Sequence, residues 1–523
     1  MTQPRSRPSS SDTTRAFAFC FSRVFPTWIC LGLRTSDFGF VILLCLLTAC
    51  KVGPDYHRPA ALSTNSVPSA FASEPGTNNV EWQAASPSAH LPRGAWWELF
   101  DDSDLNALEQ RATAENQDLA AALARFQEAR ASVSITRADL LPQIELDPSY
   151  TRQRTSLNAP QNGHPAGLSP TYNTFTLALE AGWEVDLWGK IRRQVESARA
   201  HLAASADDVE ATKLAVQADV ATDYFALRSL DAEYDLLQRT AETFRHSLEL
   251  TMNRRRGGIA SDLDVSQAQT QLQTTEAELP AVQLQRARLL HALASLCGVT
   301  ANDLAWQTNS AAQNEPPSVP VYIPSELLER RPDVAASEQR MAAANAQIGA
   351  AKGAFYPRLR LNGLAGFESI DAATWFDWPS RFWAFGPSVQ LPLFTGGRNR
   401  AQLEFAKASY NETVAAYRQT VLHSFQEVED QLAAQKLLAA QLKSESAALA
   451  SSQRTLEIAN NRYKAGLITY LEVAVAQGSE LSIERTVVQL RRDKFTAAVG
   501  LIRALGGGWE ETTAQAGKTP ESK

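Results

Sequence analysis

The chain is 523 residues long, 44% hydrophobic and 20% charged, with a formal net charge of −7 and a sequence pI of about 5.7. That acidic balance, with no lysine or arginine run long enough to form a phosphate-binding stripe, argues against nucleic acid as a partner. Of the five cysteines, four lie at or before position 50, so the body of the chain has no disulfide framework.

Taken in order, the chain opens with Arg15, Arg23 and Arg34 ahead of a short apolar run, Phe38 to Ala49, that closes as Leu47-Thr48-Ala49-Cys50. A basic region, an apolar core too short to span a bilayer and small residues at its end make a secretory signal over residues 1–49. The stretch ahead of the apolar core is long for such a signal, which points to a start codon downstream. Leu-Thr-Ala-Cys is similar to a bacterial lipobox, in which cleavage leaves the Cys50 thiol to carry lipid. Removing residues 1–49 takes away five arginines and two aspartates, so −7 becomes −10. Lys51, rather than aspartate, follows the cysteine, which in lipoproteins goes with export to the outer membrane. Residues 50–94, rich in proline, serine, alanine and asparagine, read as an extended, lipidated tether. A single acyl anchor holds a chain to a membrane without crossing it.

The first structured element is expected near Trp96-Trp97-Glu98-Leu99-Phe100, with Asp104 capping a leading helix that fills residues 95–141 and stops at Pro142. The period then changes. Gln143 to Arg152 and Tyr172 to Asp186 alternate apolar and polar residues around a loop holding Asn158, Pro160, Asn162, Gly163, Pro165 and Pro170, so 142–187 reads as a β-hairpin. Strands of this length suit a tilted membrane-spanning strand.

Residues 188–298 form the unit that organises the rest, because they are written twice. A shift of 208 carries Gly189, Arg192, Gln194, Glu196, Gly258, Leu263, Val265 and Gly298 onto Gly397, Arg400, Gln402, Glu404, Gly466, Leu471, Val473 and Gly506. No proline occurs from Thr171 to Leu279 or from Leu393 to Thr519, which marks both copies as helical. Val195, Leu202, Val209 and Val216 recur every seven residues, with Leu403, Tyr410 and Tyr417 at matching places, the spacing of supercoiling helices. The run from Gly189 to about Arg255 would be roughly 100 Å long at 1.5 Å per residue. A basic last turn and two glycines, Arg254-Arg255-Arg256-Gly257-Gly258, then reverse it, and Ser261 or Asp262 starts the return. Each copy is thus a long antiparallel helical hairpin, with tips at 256–262 and 464–470.

Residues 299–324 read as an irregular connector. Residues 325–356, opened by Ser325-Glu326-Leu327-Leu328-Glu329, form a second leading helix, and 357–393 a second β-hairpin with Trp375, Phe376, Trp378, Phe382 and Trp383 around its loop. The second helical hairpin fills 394–506, and the polar tail 507–523 is expected to be disordered. The fold class is therefore mainly α with a small β part, built by internal duplication. Four strands cannot close a barrel in lipid, where open sheet edges are not tolerated, so the chain must oligomerise. Two copies would give eight strands and three would give twelve, and the residues alone do not choose.

No catalytic constellation is present. There is no His-Glu-x-x-His, cysteine cluster, phosphate-binding Gly-x-x-x-x-Gly-Lys or Gly-x-Ser-x-Gly elbow, so neither an enzyme, a cofactor nor a metal site is expected.

Val52-Gly53-Pro54-Asp55-Tyr56, Trp96-Trp97 with Phe100, Trp183-Glu184-Val185-Asp186-Leu187-Trp188-Gly189-Lys190, Arg330-Arg331-Pro332-Asp333-Val334, Gly396-Gly397-Arg398 and the two glycine tips together resemble the TolC-like outer membrane efflux proteins, in their NodT-type lipoprotein branch. The resemblance implies a homotrimer in the outer membrane of a Gram-negative bacterium. Twelve strands would form its barrel and twelve helices a periplasmic tunnel, an α-barrel closed at rest. It implies work with a periplasmic adaptor protein and an inner-membrane pump of the resistance-nodulation-division type. It further implies that acids just after the second tip ring the aperture; Glu472 is the first such place, while the second is Val475. A tip latch maps onto Asp264 and Tyr463, with its arginine replaced by Ile468 and Arg462 the candidate substitute. The tip residues Gly257, Gly258, Ser261, Gly466, Leu467 and Thr469 map to the adaptor contacts. Two other readings are a duct for secreted protein of the type I kind and a lipid-anchored coiled-coil spacer without a pore, which would not need aromatic-edged spanning strands.

Overall fold

The computed structural model describes residues 51–61, 94–154, 171–304, 306, 315–317 and 330–507. Cys50, the signal, most of the expected tether, most of the connector and nearly all of the tail lie outside them. Among the described residues the helices are α1 (Ser103–Glu115), α2 (Gln117–Ala138), α3 (Lys190–Arg256), α4 (Asp262–Leu296), α5 (Pro332–Gly353), α6 (Arg398–Lys464) and α7 (Tyr470–Ala504). The strands are β1 (Gln143–Arg154), β2 (Thr171–Val185), β3 (Arg358–Ser369) and β4 (Arg381–Gln390).

The duplication is visible in backbone detail. α3 and α6 are both 67 residues long and α4 and α7 both 35, each pair starting 208 residues apart. Gly258 and Gly466 both take positive φ, +78° and +74°, where a side chain would be strained. One copy tolerates what the other lacks: Pro280 sits inside α4, at the place that Val488 holds in α7.

The N-terminal helix differs from the expected one. Asp102, extended at φ −124°, is its cap and accepts from the backbone N–H groups of Asp104 and Leu105; Asp104 is already inside the helix. The helix is also split at Asn116, whose extended ψ of 129° ends α1. The Asn116 side chain caps α2 at Leu119 N–H and donates to the Leu296 carbonyl, so a contact distant in sequence fixes the break. Among the described residues the second leading helix runs from Pro332, with Arg331 at its cap position; Ser325 to Glu329, where the sequence opens it, lie outside them. Proline at the first helical position needs no donor there.

Helix α5 packs between α3 and α6, α2 lies on α3, and α7 lies along α6 and α3. The main core joins the N-terminal turn to both copies: Trp96, Trp97, Phe100 and Leu105 pack with Tyr224, Phe225, Leu293 and Phe495. Phe225 stacks on Phe495 at 4.5 Å between ring centres. The four strands form one antiparallel sheet in the order β1-β2-β3-β4, which leaves β1 and β4 as its two edges.

Residues 51–61 do not form a free tether. They are extended but strapped across α3, α5 and α6. Arg193, only 1% exposed, donates to the Val52 and Gly53 carbonyls and to Asp55. Arg58 donates to the Tyr417 hydroxyl, and Asn345 to the Pro54 carbonyl. Gly53 approaches Gly349 so closely that a Cβ on it would lie 2.5 Å from the Gly349 Cα.

Candidate functional site

The chemistry-bearing surfaces are the two faces of the sheet and the two hairpin tips. Residues paired across strands point to the same side. The register therefore puts Ile144, Leu146, Leu177, Leu179, Ala181, Trp183, Leu361, Phe367, Trp383, Phe385 and Val389 on one face. Ile144, Leu146, Leu179, Trp383, Phe385 and Val389 are 48–76% exposed. A hairpin in water would bury such a face, whereas a membrane-spanning sheet turns it to lipid. The other face carries Gln143, Glu145, Asp147, Thr176, Glu180, Glu184, Asn362, Glu368 and Ser388, with Arg358 and Arg360. Glu145 and Glu180 are directly opposite each other on β1 and β2. This acidic face becomes legible only with the register known.

Both ends of the sheet are anchored by amphipathic aromatics. At the helix end Trp183 donates to the Leu140 carbonyl and Trp188 to the Pro357 carbonyl, and Trp188 stacks on Tyr356 at 4.9 Å. At the far end Trp375 stacks on Phe376, and the Arg381 guanidinium lies 3.7 Å from the Trp378 ring centre. An apolar ring with a polar edge suits the boundary between lipid and water. Of the expected cluster, Phe382 lies on the acidic face, opposite Trp383.

At the first tip, the chain reverses through Gly257 and Gly258. Ser261 caps α4 and forms a capping box with Asp264, whose Oδ2 accepts from the Ser261 N–H at 2.9 Å and from its hydroxyl at 2.8 Å. At the second tip, Gly466 makes the turn and Thr469 occupies the cap position of α7 without a side-chain hydrogen bond. Glu472 is exposed in the first turn of α7, with no side-chain partner among the described residues. Ile259, Leu263, Leu467, Leu471 and Val475 are also exposed, an apolar surface at the end of the helices.

Within one chain the residues mapped to the latch are not brought together. Asp264 is bonded within its own turn, and Arg462 is exposed at the end of α6. Tyr463 is buried and is met instead by Arg254, which donates to the carbonyls of Tyr463 at 2.9 Å and Lys464 at 3.2 Å. The Arg254 guanidinium also lies 4.6 Å from the Tyr463 ring centre. The sequence places Arg254 in a basic last turn and gives it no part in the latch, although a signal exists: the 208-residue shift carries it onto Arg462.

Farther up the helices, Arg485 of α7 bonds to Glu233 of α3 at 2.6 Å and Glu278 of α4 at 2.6 Å, bracing the two copies together. On α1, Glu109 is fully buried, both its carboxyl oxygens lack a hydrogen-bond partner, and burial pushes its pKa up to about 9. No group of three or more His, Cys, Asp or Glu that could hold a metal occurs among the described residues.

The sequence profile of the family described as outer membrane efflux protein matches residues 108–299 and 323–507. The toluene efflux pump outer membrane protein TtgC of Pseudomonas putida is 34% identical over 472 residues, covering 90% of this chain and 95% of its own. Outer membrane protein OprJ of Pseudomonas aeruginosa is 34% identical over 485 residues, covering 92% and 98%. Among solved structures, the CmeC outer membrane channel of Campylobacter jejuni superimposes with a TM-score of 0.78 at 26% identity, over 88% of this chain and 96% of that one.

Proposed function

The chain belongs to the outer membrane efflux protein family and is the outer membrane exit duct of an efflux pump in a Gram-negative bacterium; we propose that three copies close into one barrel and one tunnel to make it. One observation carries the proposal. A four-stranded sheet with an exposed apolar face and two open edges runs directly into helices about 100 Å long. Open edges are not stable in lipid. Pairing β1 of each copy with β4 of the next would satisfy both edges, and three copies give twelve strands around an open lumen.

The duct performs no chemistry, and its energy comes from partners. A periplasmic adaptor would dock on the exposed tips at Gly257, Gly258, Ser261, Gly466, Leu467 and Thr469, where the apolar Ile259, Leu263 and Leu471 supply contact area. An inner-membrane pump of the resistance-nodulation-division type would deliver the cargo. Lipid on Cys50 would anchor each copy. Lys51 supports this: it lies beside Gly189, and Val52 N–H donates to the Trp188 carbonyl, at the junction of strand and long helix.

Charge on the lumen side favours cations. Glu145, Asp147, Glu180, Glu184 and Glu368 face inward against two arginines, and three Glu472 carboxylates would ring the periplasmic mouth. Val475 cannot add a second charged ring there. Asp264 and Tyr463 would act in the latch by holding their own tips in shape. Arg462 would reach the neighbouring copy, because its equivalent, Arg254, already reaches across within the chain.

The test is single-channel recording of the purified mature protein in planar bilayers under a salt gradient. A cation-preferring conductance whose selectivity weakens in Glu472→Ala supports the duct and the ring. Verified trimers that conduct in no variant would remove the pore.

A further inference from the structure

We infer that Arg254 is the clamp that keeps the two tips of each chain together and so holds the periplasmic mouth narrow. The inference rests on the duct reading above and adds a residue and a cause to it. Helices α3 and α6 end next to each other, at Arg256 and Lys464. Each end presents carbonyls without a helical partner and the negative pole of a long helix. The starts of α4 and α7 offset these poles in part, and a cation held between the two ends binds both.

Arg254 is that cation. It sits in the last turn of α3, and its Nη1 donates to two carbonyls of the last turn of α6, those of Tyr463 and Lys464. It therefore neutralises its own helix end and its neighbour's together. The Tyr463 ring, 4.6 Å from the guanidinium carbon, adds a cation–π contact. That ring is fixed in turn: its hydroxyl lies 3.4 Å from Thr251 Oγ1, one turn before Arg254, and it meets Tyr470 edge-on at 5.7 Å. Tyr470 is the first residue of α7, the helix that carries Glu472. The Arg254 Nε is buried without an acceptor, so Nη1 makes the hydrogen bonds that hold the guanidinium here. Swinging the second hairpin away from the first must break two charge-assisted hydrogen bonds and bare the like poles.

The flanking cation provides the control. Arg255 pairs with Asp262 on the exposed tip and does not reach α6. Loss of these two charge-assisted bonds in each chain shifts the ratio of open to closed mouths about tenfold or more. Arg254→Gln is therefore expected to raise open probability or mean conductance of trimers in planar bilayers. Arg254→Lys, which keeps the charge and can still donate to carbonyls, should restore most of the closed population. Arg255→Gln should gate like the parent, and the melting temperature of the Arg254→Gln trimer should not account for the rise. An Arg254→Gln channel that gates like the parent overturns the clamp while leaving the duct standing. A rise of equal size in Arg255→Gln, or no restoration by lysine, overturns it too, and silence of the parent trimer overturns the duct itself.

Discussion

Replacing Glu109 by glutamine should stabilise the protein at neutral pH and flatten its pH dependence. Glu109 is fully buried on α1 with no hydrogen-bond partner for either oxygen, and its pKa moves from 4.5 to about 9 because burial penalises the charged form. A carboxyl with a raised folded-state pKa takes up a proton on folding between those two values. Its contribution is fully present below about pH 4.5, falls as pH rises, and is lost by about pH 9. At pH 7, two and a half units above the ordinary value, the penalty is about 3 kcal/mol per chain at about 1.4 kcal/mol per unit. Glutamine stays neutral and escapes it. The assay is thermal unfolding of the detergent-solubilised assembly at pH 5, 7 and 9. The two proteins should differ little at pH 5 and most at pH 9, with the variant more stable. Parallel curves across the three pH values would refute the reasoning.

Two further perturbations test the strap and the brace. A Cβ at Gly349 would lie 2.8–2.9 Å from Nε, Cδ and Cγ of Arg193, so Gly349→Ala should expel that guanidinium and free residues 51–61. Chymotrypsin should then cleave after Tyr56, which packs against Tyr417 in the parent, at doses the parent resists, and unchanged cleavage would contradict the strap. Arg485→Gln leaves Glu233 buried without its guanidinium partner and should cost about 3 kcal/mol. Adding Glu233→Gln should recover part of that loss, and a double variant no more stable than the single would show that the pair does not couple.

The duplication and the long hairpins were legible in the sequence because they rest on local rules. Glycines at 258 and 466 mark positive φ, prolines are missing from long stretches, and the sevenfold spacing declares helices. What stayed hidden depends on partners far away in sequence. The strap reads as a tether because its prolines and small residues carry no period; Arg193, which holds it, lies 141 residues from Val52. The break at Asn116 depends on the Leu296 carbonyl, and the cap at Asp102 rather than Asp104 on a backbone already extended at 102. Arg254 was masked by its neighbours, since three successive arginines at a helix end look like one dipole-matching cluster until one of them is seen to cross to α6. The acidic lumen face needed the strand register, because a slip of one residue would have turned Glu145 and Glu180 toward lipid.

Three copies are expected to close one barrel by pairing β1 of each with β4 of the next. Cysteines placed at Ser149 in β1 and Ala384 in β4, both on the lumen face, can be joined in intact outer membranes by a short bifunctional maleimide. The native Cys297 is buried and should not compete. A ladder of covalent species that ends at three chains, and that neither cysteine gives alone, is the predicted result. A ladder that stops at two, runs past three or never forms would contradict the closed trimeric barrel.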